Sequence, residues 1–143
     1  MYKMYKKQHL ICAERTEARM NALKRGLIVS CQAAKGEPLY GYGIMYLFAK
    51  AAKEGGAIGI RALVDDVDRI KEEVDLPVIG LIKEAYDDSE VYITPTKNDV
   101  DKLLDTKCDV LCMDATLRSR PDGLTLSELY AYAREKANGR ELM

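Results

Sequence analysis

Four short apolar runs recur along this chain at nearly even spacing, and a fifth begins just before the last residue. The runs start at about residues 27, 57, 78, 109 and 141, which gives intervals of 30, 21, 31 and 32 residues. Intervals of this size accommodate a strand followed by a helix. Short runs without alternating polar residues are typical of strands buried on both faces of a parallel sheet. The pattern predicts an α/β fold with about four βα units and the start of a fifth strand.

Two architectures fit this repeat. The first is the TIM (β/α)₈ barrel, which usually takes at least ~200 residues. The 143 residues of this chain would form a truncated portion of such a barrel. The second is a flavodoxin-like open sheet of five strands, which fits the length without truncation. Spacing alone leaves both open.

Segments between the runs carry helical signals. One helix is expected to turn a set of evenly spaced apolar residues toward the sheet, namely Ile44, Leu47, Phe48 and Ala51. Gly55 and Gly56 would end that helix. Thr125 and Glu128 form a T-x-x-E capping box, which predicts where the last helix begins.

The first residues of the chain have no comparable pattern. We therefore divide the chain into an N-terminal extension, residues 1–21, that is helical or disordered, and a folded domain, residues 22–143. His9, the single histidine, lies in the extension, where a solvated role is expected. One remote histidine and no Gly-rich nucleotide motif predict a protein without a metal or a cofactor.

Composition argues against two classes of partner. A formal net charge of −1 creates no field that would attract nucleic acid, and one Phe with no Trp offers little surface for stacking bases. No apolar run approaches the ~20 residues of a membrane span. Four cysteines without a CxxC pair or zinc spacing predict buried reduced thiols, Cys31 and Cys112 above all, and a cytoplasmic location.

Each of the first four runs ends in a polar side chain. These side chains belong to Gln32, Arg61, Lys83 and Asp114. The carboxyl ends of barrel strands form the face on which barrel enzymes do their chemistry. An amide, a guanidinium, an amine and a carboxylate gathered there would suit a small, polar and anionic ligand.

Lys83 stands out because it follows the apolar run from Pro77 to Ile82. An ammonium in that position must reach water, pair with an acid or lose its proton. A deprotonated Lys83 would be a general base. Alternatively, Arg61, Lys83 and Asp114 form a structural ion-pair network that closes the barrel mouth. The spacing favours neither interpretation.

Several longer stretches carry a more specific signal. They are residues 26–33, 36–39, 55–57, 59–62, 74–80 with Lys83, 93–96, 114–118 and 120–125. Together they resemble the N-terminal part of the N-acylmannosamine-6-phosphate 2-epimerases of bacterial sialic acid catabolism. The resemblance runs from about Ala22 to Met143 without a break.

This resemblance implies a cofactor-independent TIM-barrel enzyme that interconverts N-acetylmannosamine 6-phosphate and N-acetylglucosamine 6-phosphate. It also implies that Lys83 is an acid/base residue at C2 of the sugar. Gln32, Arg61 and Asp114 would contact the sugar or the developing enolate oxygen. In the family, later strands carry a second acid/base carboxylate and the phosphate-binding loops. The chain is therefore expected to be partial, with little activity by itself.

One residue departs from the pattern of the family. Glu84 directly follows Lys83, where the family usually has a basic residue, and we expect it only to retune the site. Two other functions are compatible with the same residues. Lys83 could form a Schiff base, as in lyases and aldolases built on this barrel. A non-catalytic half-barrel could instead pair with a copy of itself, because its open strand edges favour a homo-oligomer.

Overall fold

Strands and helices alternate through residues 25–143, which are the residues that the computed structural model describes. The strands are β1 (Ile28–Cys31), β2 (Gly59–Leu63), β3 (Val78–Leu81), β4 (Val110–Leu111) and β5 (Glu141–Leu142). The helices are α1 (Met45–Glu54), α2 (Val64–Glu73), α3 (Lys97–Leu104) and α4 (Leu126–Lys136). The predicted extension, residues 1–21 with His9, lies outside the described residues.

The five strands form one parallel sheet in the order β1-β2-β3-β4-β5. The larger core cluster combines strand residues with residues from all four helices, so the helices cover one face of the sheet. A flavodoxin-like sheet would have a different strand order and helices on both faces. Sequential order with one covered face is the arrangement of a (β/α)₈ barrel, which confirms the barrel prediction and excludes the open sheet.

A second apolar cluster lies on the opposite face of the sheet. It consists of Ile79, Leu81, Val110 and Cys112, with Ile28, Leu63 and Ile93 packed against them. None of these residues belongs to a helix. Because side chains alternate between the two faces of a strand, these positions define the inner face of the barrel portion. Strand β3 is buried along its whole length, as its unbroken apolar sequence predicts.

The prediction for the inner side of α1 is wrong at three of its four positions, because Leu47, Phe48 and Ala51 are exposed, whereas Ile44, the N-terminal cap, packs against the core. Met45 and Ala49 face the core, whereas Leu47 and Phe48 are 48% and 46% exposed. The orientation follows from contacts on the flank of the helix. Tyr46 lies under Arg69 of α2, with the guanidinium carbon 4.7 Å from the ring centroid. The buried stripe of α1 is therefore Met45 and Ala49, with Tyr46 turned toward α2.

The observed ends of the helices agree with those predicted from the sequence. Thr125 accepts a hydrogen bond from the main-chain N–H of Glu128, and the Glu128 carboxylate accepts one from the N–H of Thr125. The predicted capping box of α4 is therefore confirmed. Gly55 is the C-terminal cap of α1, as expected.

Cys31, Cys108 and Cys112 are buried and free, which agrees with the expectation for Cys31 and Cys112. Burial is also the main reason why the thiols of Cys31 and Cys108 have raised pKa values. Within residues 25–143, no helix combines the length and the apolar character that crossing a membrane requires.

Replacing Gly80→Ala should destabilise the fold. A methyl group at Gly80 would lie 2.9 Å from the Cβ of Cys108 and 3.2 Å from a methyl of Leu103. Overpacking of this kind costs about 1–3 kcal/mol, which urea unfolding would measure. Gly55→Ala is the matched control, because its nearest neighbours would be at 3.4 Å, an ordinary contact. Equal stability of the two variants would contradict the close packing of β3.

Candidate active site

The four polar residues predicted from the strand ends all have inner-face positions. Gln32 follows β1 directly, Lys83 lies two residues beyond β3, and Asp114 lies three residues beyond β4. Each is an even number of residues from a member of the inner cluster, such as Leu81 before Lys83. Extended backbone therefore directs these side chains to the barrel interior.

Arg61 is not at a strand end, and this part of the prediction is wrong. Strand β2 continues to Leu63, which makes Arg61 its central residue. Its partner in the sheet is Ile79, four residues before Lys83. At about 3.3 Å per residue, roughly 13 Å of strand rise separates the levels of Arg61 and Lys83. Arg61 thus lies deeper in the barrel than the other three residues.

Lys83 lines a cavity of about 560 Å³ at the carboxyl end of the sheet. Tyr40 and Tyr92 contribute to its wall, and Leu63 and Ile82 to its apolar part. The lining also includes three lysines, Lys35, Lys83 and Lys102, and two acids, Asp65 and Glu84. Lys102 is paired with Asp99 at 3.7 Å, so basic and acidic side chains nearly balance, and the mixed lining suits a polar ligand. Gln32, Arg61 and Asp114 lie outside this lining.

The structural ion-pair alternative is not observed. Among residues 25–143, no salt bridge joins any two of Arg61, Lys83 and Asp114. Lys83 is only partly buried at the cavity wall. Its amine is therefore not engaged by either of the two charged residues that the alternative required.

Gln32 presents an unsatisfied acceptor. Its Nε2 donates a long hydrogen bond of 3.4 Å to the carbonyl oxygen of Arg61. Its Oε1 is buried and has no hydrogen-bond partner within the described residues. A buried oxygen without a donor is costly, so this position favours a ligand that brings an N–H or O–H group.

Asp114 is hydrogen-bonded to the main chain of the loop that follows β3. Its Oδ2 accepts hydrogen bonds from the N–H groups of Tyr92 and Ile93, both at 2.9 Å. Its own N–H donates to the carbonyl of Ile93 at 3.0 Å. The structure therefore assigns Asp114 a holding contact that the sequence did not indicate.

This loop returns toward β3 before α3 begins. Lys83 and Ile93 form an antiparallel bridge, in which the N–H of Glu84 donates to the carbonyl of Tyr92 at 3.1 Å. Because Ile93 is also bonded to Asp114, the segment Val91–Thr94 lies between the end of β3 and the end of β4. It separates Lys83 from Asp114 and links them through main-chain hydrogen bonds.

Arg120 is a further residue whose function sequence reasoning missed. It is 2% exposed, and its guanidinium donates to the carbonyl oxygens of Pro95, at 3.4 Å, and Asp114, at 2.5 Å. Burial lowers the pKa of Arg120, and the nearby carboxylates of Asp114 and Asp122 oppose this shift. Its position in the resembling stretch 120–125 was the only available signal.

Within the described part of the chain, no group of three or more His, Cys, Asp or Glu side chains is arranged to hold a metal ion. The chemistry available at this rim is that of an amine, an amide and carboxylates, with the guanidinium of Arg61 deeper on the inner face. Such a set can move a proton and stabilise an oxyanion.

Comparison with known proteins gives consistent matches. A family model described as "Putative N-acetylmannosamine-6-phosphate epimerase" matches residues 45–143. A "Putative N-acetylmannosamine-6-phosphate 2-epimerase" from Clostridioides difficile is 53% identical over 117 residues, which cover 81% of this chain and 52% of the relative. A relative of the same name from Staphylococcus aureus is 52% identical over 122 residues, covering 85% and 54% of the two chains.

A solved structure supports the same grouping. It represents the N-acetylmannosamine-6-phosphate 2-epimerase from Clostridium perfringens, with 50% sequence identity and a TM-score of 0.77. The match covers 82% of this chain and 51% of that chain. The chain thus spans about half the length of the curated relatives it matches.

Arg120→Lys should destabilise the chain, because an ammonium cannot reproduce the forked contact with two carbonyl groups. The loss of one or two charge-assisted hydrogen bonds should cost about 1–3 kcal/mol in urea unfolding. Arg118→Lys is the control, since the exposed guanidinium of Arg118 pairs with Glu90 at 3.3 Å on the surface. If the two substitutions lower the free energy of unfolding equally, Arg120 does not connect the loop after β3 with the loop after β4.

Proposed function

The chain belongs to the N-acetylmannosamine-6-phosphate epimerase family, and from this premise we propose that its site takes part in the interconversion of N-acetylmannosamine 6-phosphate and N-acetylglucosamine 6-phosphate. The observation that carries the proposal is the position of Lys83. It follows β3, has an inner-face position and lines a cavity at the carboxyl end of the sheet. The expected activity is that of an isomerase in amino-sugar catabolism.

Lys83 would act on the open-chain form of the sugar. The C2 proton there lies next to an aldehyde, so its removal leaves an enolate whose charge is shared with the carbonyl oxygen. The neutral amine of Lys83 would take this proton and become an ammonium, and return of a proton to the other face of C2 inverts the centre. Because two faces are involved, a second acid/base group must stand opposite Lys83. The resemblance implies that later strands supply it.

Three residues of the inner face would support this step. Arg61 carries a permanent positive charge deeper inside the barrel, where it would attract the anionic substrate. The buried Oε1 of Gln32 would accept a hydrogen bond from a sugar hydroxyl or from the N-acyl amide. Asp114 would contact the sugar through the carboxylate oxygen that the N–H groups of Tyr92 and Ile93 leave available.

The reaction as proposed uses no cofactor, because the carbonyl group of the substrate itself stabilises the carbanion. Self-association is a further part of the proposal. Among the described residues, β1 and β5 each pair on one side only, and Leu47 and Phe48 are exposed on α1. The free, buried cysteines support a cytoplasmic location, where thiols stay reduced.

Solvent exchange at C2 tests the role of Lys83 directly. In D₂O, the chain should catalyse loss of the C2 proton signal of N-acetylmannosamine 6-phosphate, followed by NMR. It should be measured alone and mixed with a polypeptide carrying the later strands of the Clostridioides difficile relative. Lys83→Met should lower the exchange rate by about 10²–10⁴-fold, because it removes the general base.

Lys107→Met is the matched control, because Lys107 is exposed, pairs with Glu72 at 3.3 Å and is outside the cavity lining. It should change the rate of C2 exchange by less than about threefold, as expected for one screened surface charge. Exchange in Lys83→Met at the wild-type rate would exclude Lys83 as the base. Absence of exchange in both wild-type preparations would count against the proposed function.

Borohydride trapping separates proton transfer from Schiff-base chemistry. An amine that only moves a proton forms no bond to carbon, so reduction in the presence of the sugar phosphate should leave the mass of the peptide containing Lys83 unchanged. A reduced adduct on Lys83 that is absent from Lys83→Met would instead identify a Schiff-base enzyme.

A further inference from the structure

The residue before Lys83 has an unusual hydrogen-bonding partner. The β3–β4 pairing ends with Gly80 opposite Leu111, so the main chain beyond it needs other partners. Thr94 supplies a donor and an acceptor to the main chain of Ile82. The N–H of Thr94 donates to the carbonyl of Ile82 at 2.8 Å, and the N–H of Ile82 donates to the hydroxyl oxygen of Thr94 at 3.2 Å. Next to Lys83, Thr94 therefore makes the hydrogen bonds that a neighbouring strand would otherwise make.

The same hydroxyl group reaches the neighbouring strand end. Thr94 Oγ1 donates to the carbonyl oxygen of Cys112 at 2.6 Å, two residues before Asp114. Ile93 directly precedes Thr94. Its N–H donates a hydrogen bond to the carboxylate of Asp114, and its carbonyl oxygen accepts one from the N–H of Asp114. Thr94 is thus hydrogen-bonded to the ends of both strands, close to Lys83 on one side and to Asp114 on the other.

The backbone of Thr94 is constrained at this position. Its φ is +46°, in the left-handed region that β-branched residues avoid, and the residue is fully buried. Such a conformation persists only where the surroundings impose it, and it is often associated with functional sites. The three hydrogen bonds of Thr94 supply that constraint here.

We propose that Thr94 is a positioning residue, whose hydroxyl group fixes Lys83 relative to the end of β4. It acts through the main chain and touches no substrate. This inference rests on the proposed function, since the orientation of Lys83 matters for proton transfer. Displacement of a catalytic group by about 1 Å can cost on the order of 10²-fold in rate.

Three substitutions separate the hydroxyl from the backbone. Thr94→Ser keeps the hydroxyl, Thr94→Val removes it with little change of shape, and Thr94→Gly removes it while relieving the left-handed backbone. If Thr94→Val fails to fold, Thr94→Gly carries the test, because glycine adopts a positive φ readily. Circular dichroism would establish that each variant is folded.

The first readout is independent of activity. In the chain with ¹³C-labelled lysine, the Cε signal of Lys83 is assigned by its loss in Lys83→Arg. Thr94→Val and Thr94→Gly should move this signal toward the position of the exposed lysines, while Thr94→Ser leaves it in place. The signal of Lys71, which pairs with Asp109 at 2.8 Å on another part of the sheet, should stay unchanged in all three variants.

The second readout is solvent exchange at C2. Thr94→Val and Thr94→Gly should lower kcat for exchange by about 10–100-fold with KM changed less than about threefold, and Thr94→Ser should stay near the wild type. An unmoved Lys83 signal in folded Thr94→Val or Thr94→Gly would overturn the proposal, as would equal behaviour of Thr94→Ser. Failure of wild-type exchange would contradict the proposed function, while the Lys83 signal would still decide the role of Thr94.

Discussion

Strand β3 is buried on both faces, and this burial determines how the carboxyl end of the sheet is built. Helices cover one face, and the inner cluster around Ile79 and Leu81 covers the other. Polar side chains can therefore begin only where the strand ends, and Lys83 is the first of them. The main chain there has lost its strand neighbour, so its N–H and C=O groups need new partners.

The loop after β3 turns back toward the strand end and supplies these hydrogen-bond partners. Thr94 satisfies Ile82, while Asp114 and Arg120 hold the same loop from the side of β4. Lys83 consequently follows a main chain that is fixed on both sides, while the residue lines the cavity. A rigidly held main chain is what a residue needs when its side chain must reach one particular carbon atom.

The sequence was sufficient for the number and parallel arrangement of the strands, because these depend on short-range patterns, whereas the choice of a barrel over an open sheet rested on the family resemblance. The even spacing of apolar runs predicted five strands, and the pair Thr125 and Glu128 predicted the start of α4. Apolar spacing did not decide which side of α1 is buried, since Met45 and Ala49 offered a second stripe. Nor could it place Arg61, because the polar residue inside β2 resembled a strand end while the strand ran on to Leu63.

The contacts that hold the candidate site in place were harder to predict than the residues of the site themselves. Gln32, Lys83 and Asp114 follow apolar runs, so their common edge could be inferred from the sequence. The contacts of Thr94 and Arg120 join loops that are distant in sequence from the strand ends they hold. A threonine or an arginine in a polar loop has many possible partners, and only the folded chain selects among them.

The proposed reaction requires the Lys83 amine to reach C2 of an open-chain sugar phosphate at the carboxyl end of β3. A crystal structure of the chain with bound N-acetylmannosamine 6-phosphate would show whether it does. The Nζ of Lys83 should then lie about 3–3.5 Å from C2, the distance of reacting atoms in a productive complex. A bound sugar whose C2 lies beside another titratable group, with Lys83 turned away from it, would contradict the role of Lys83 as the base.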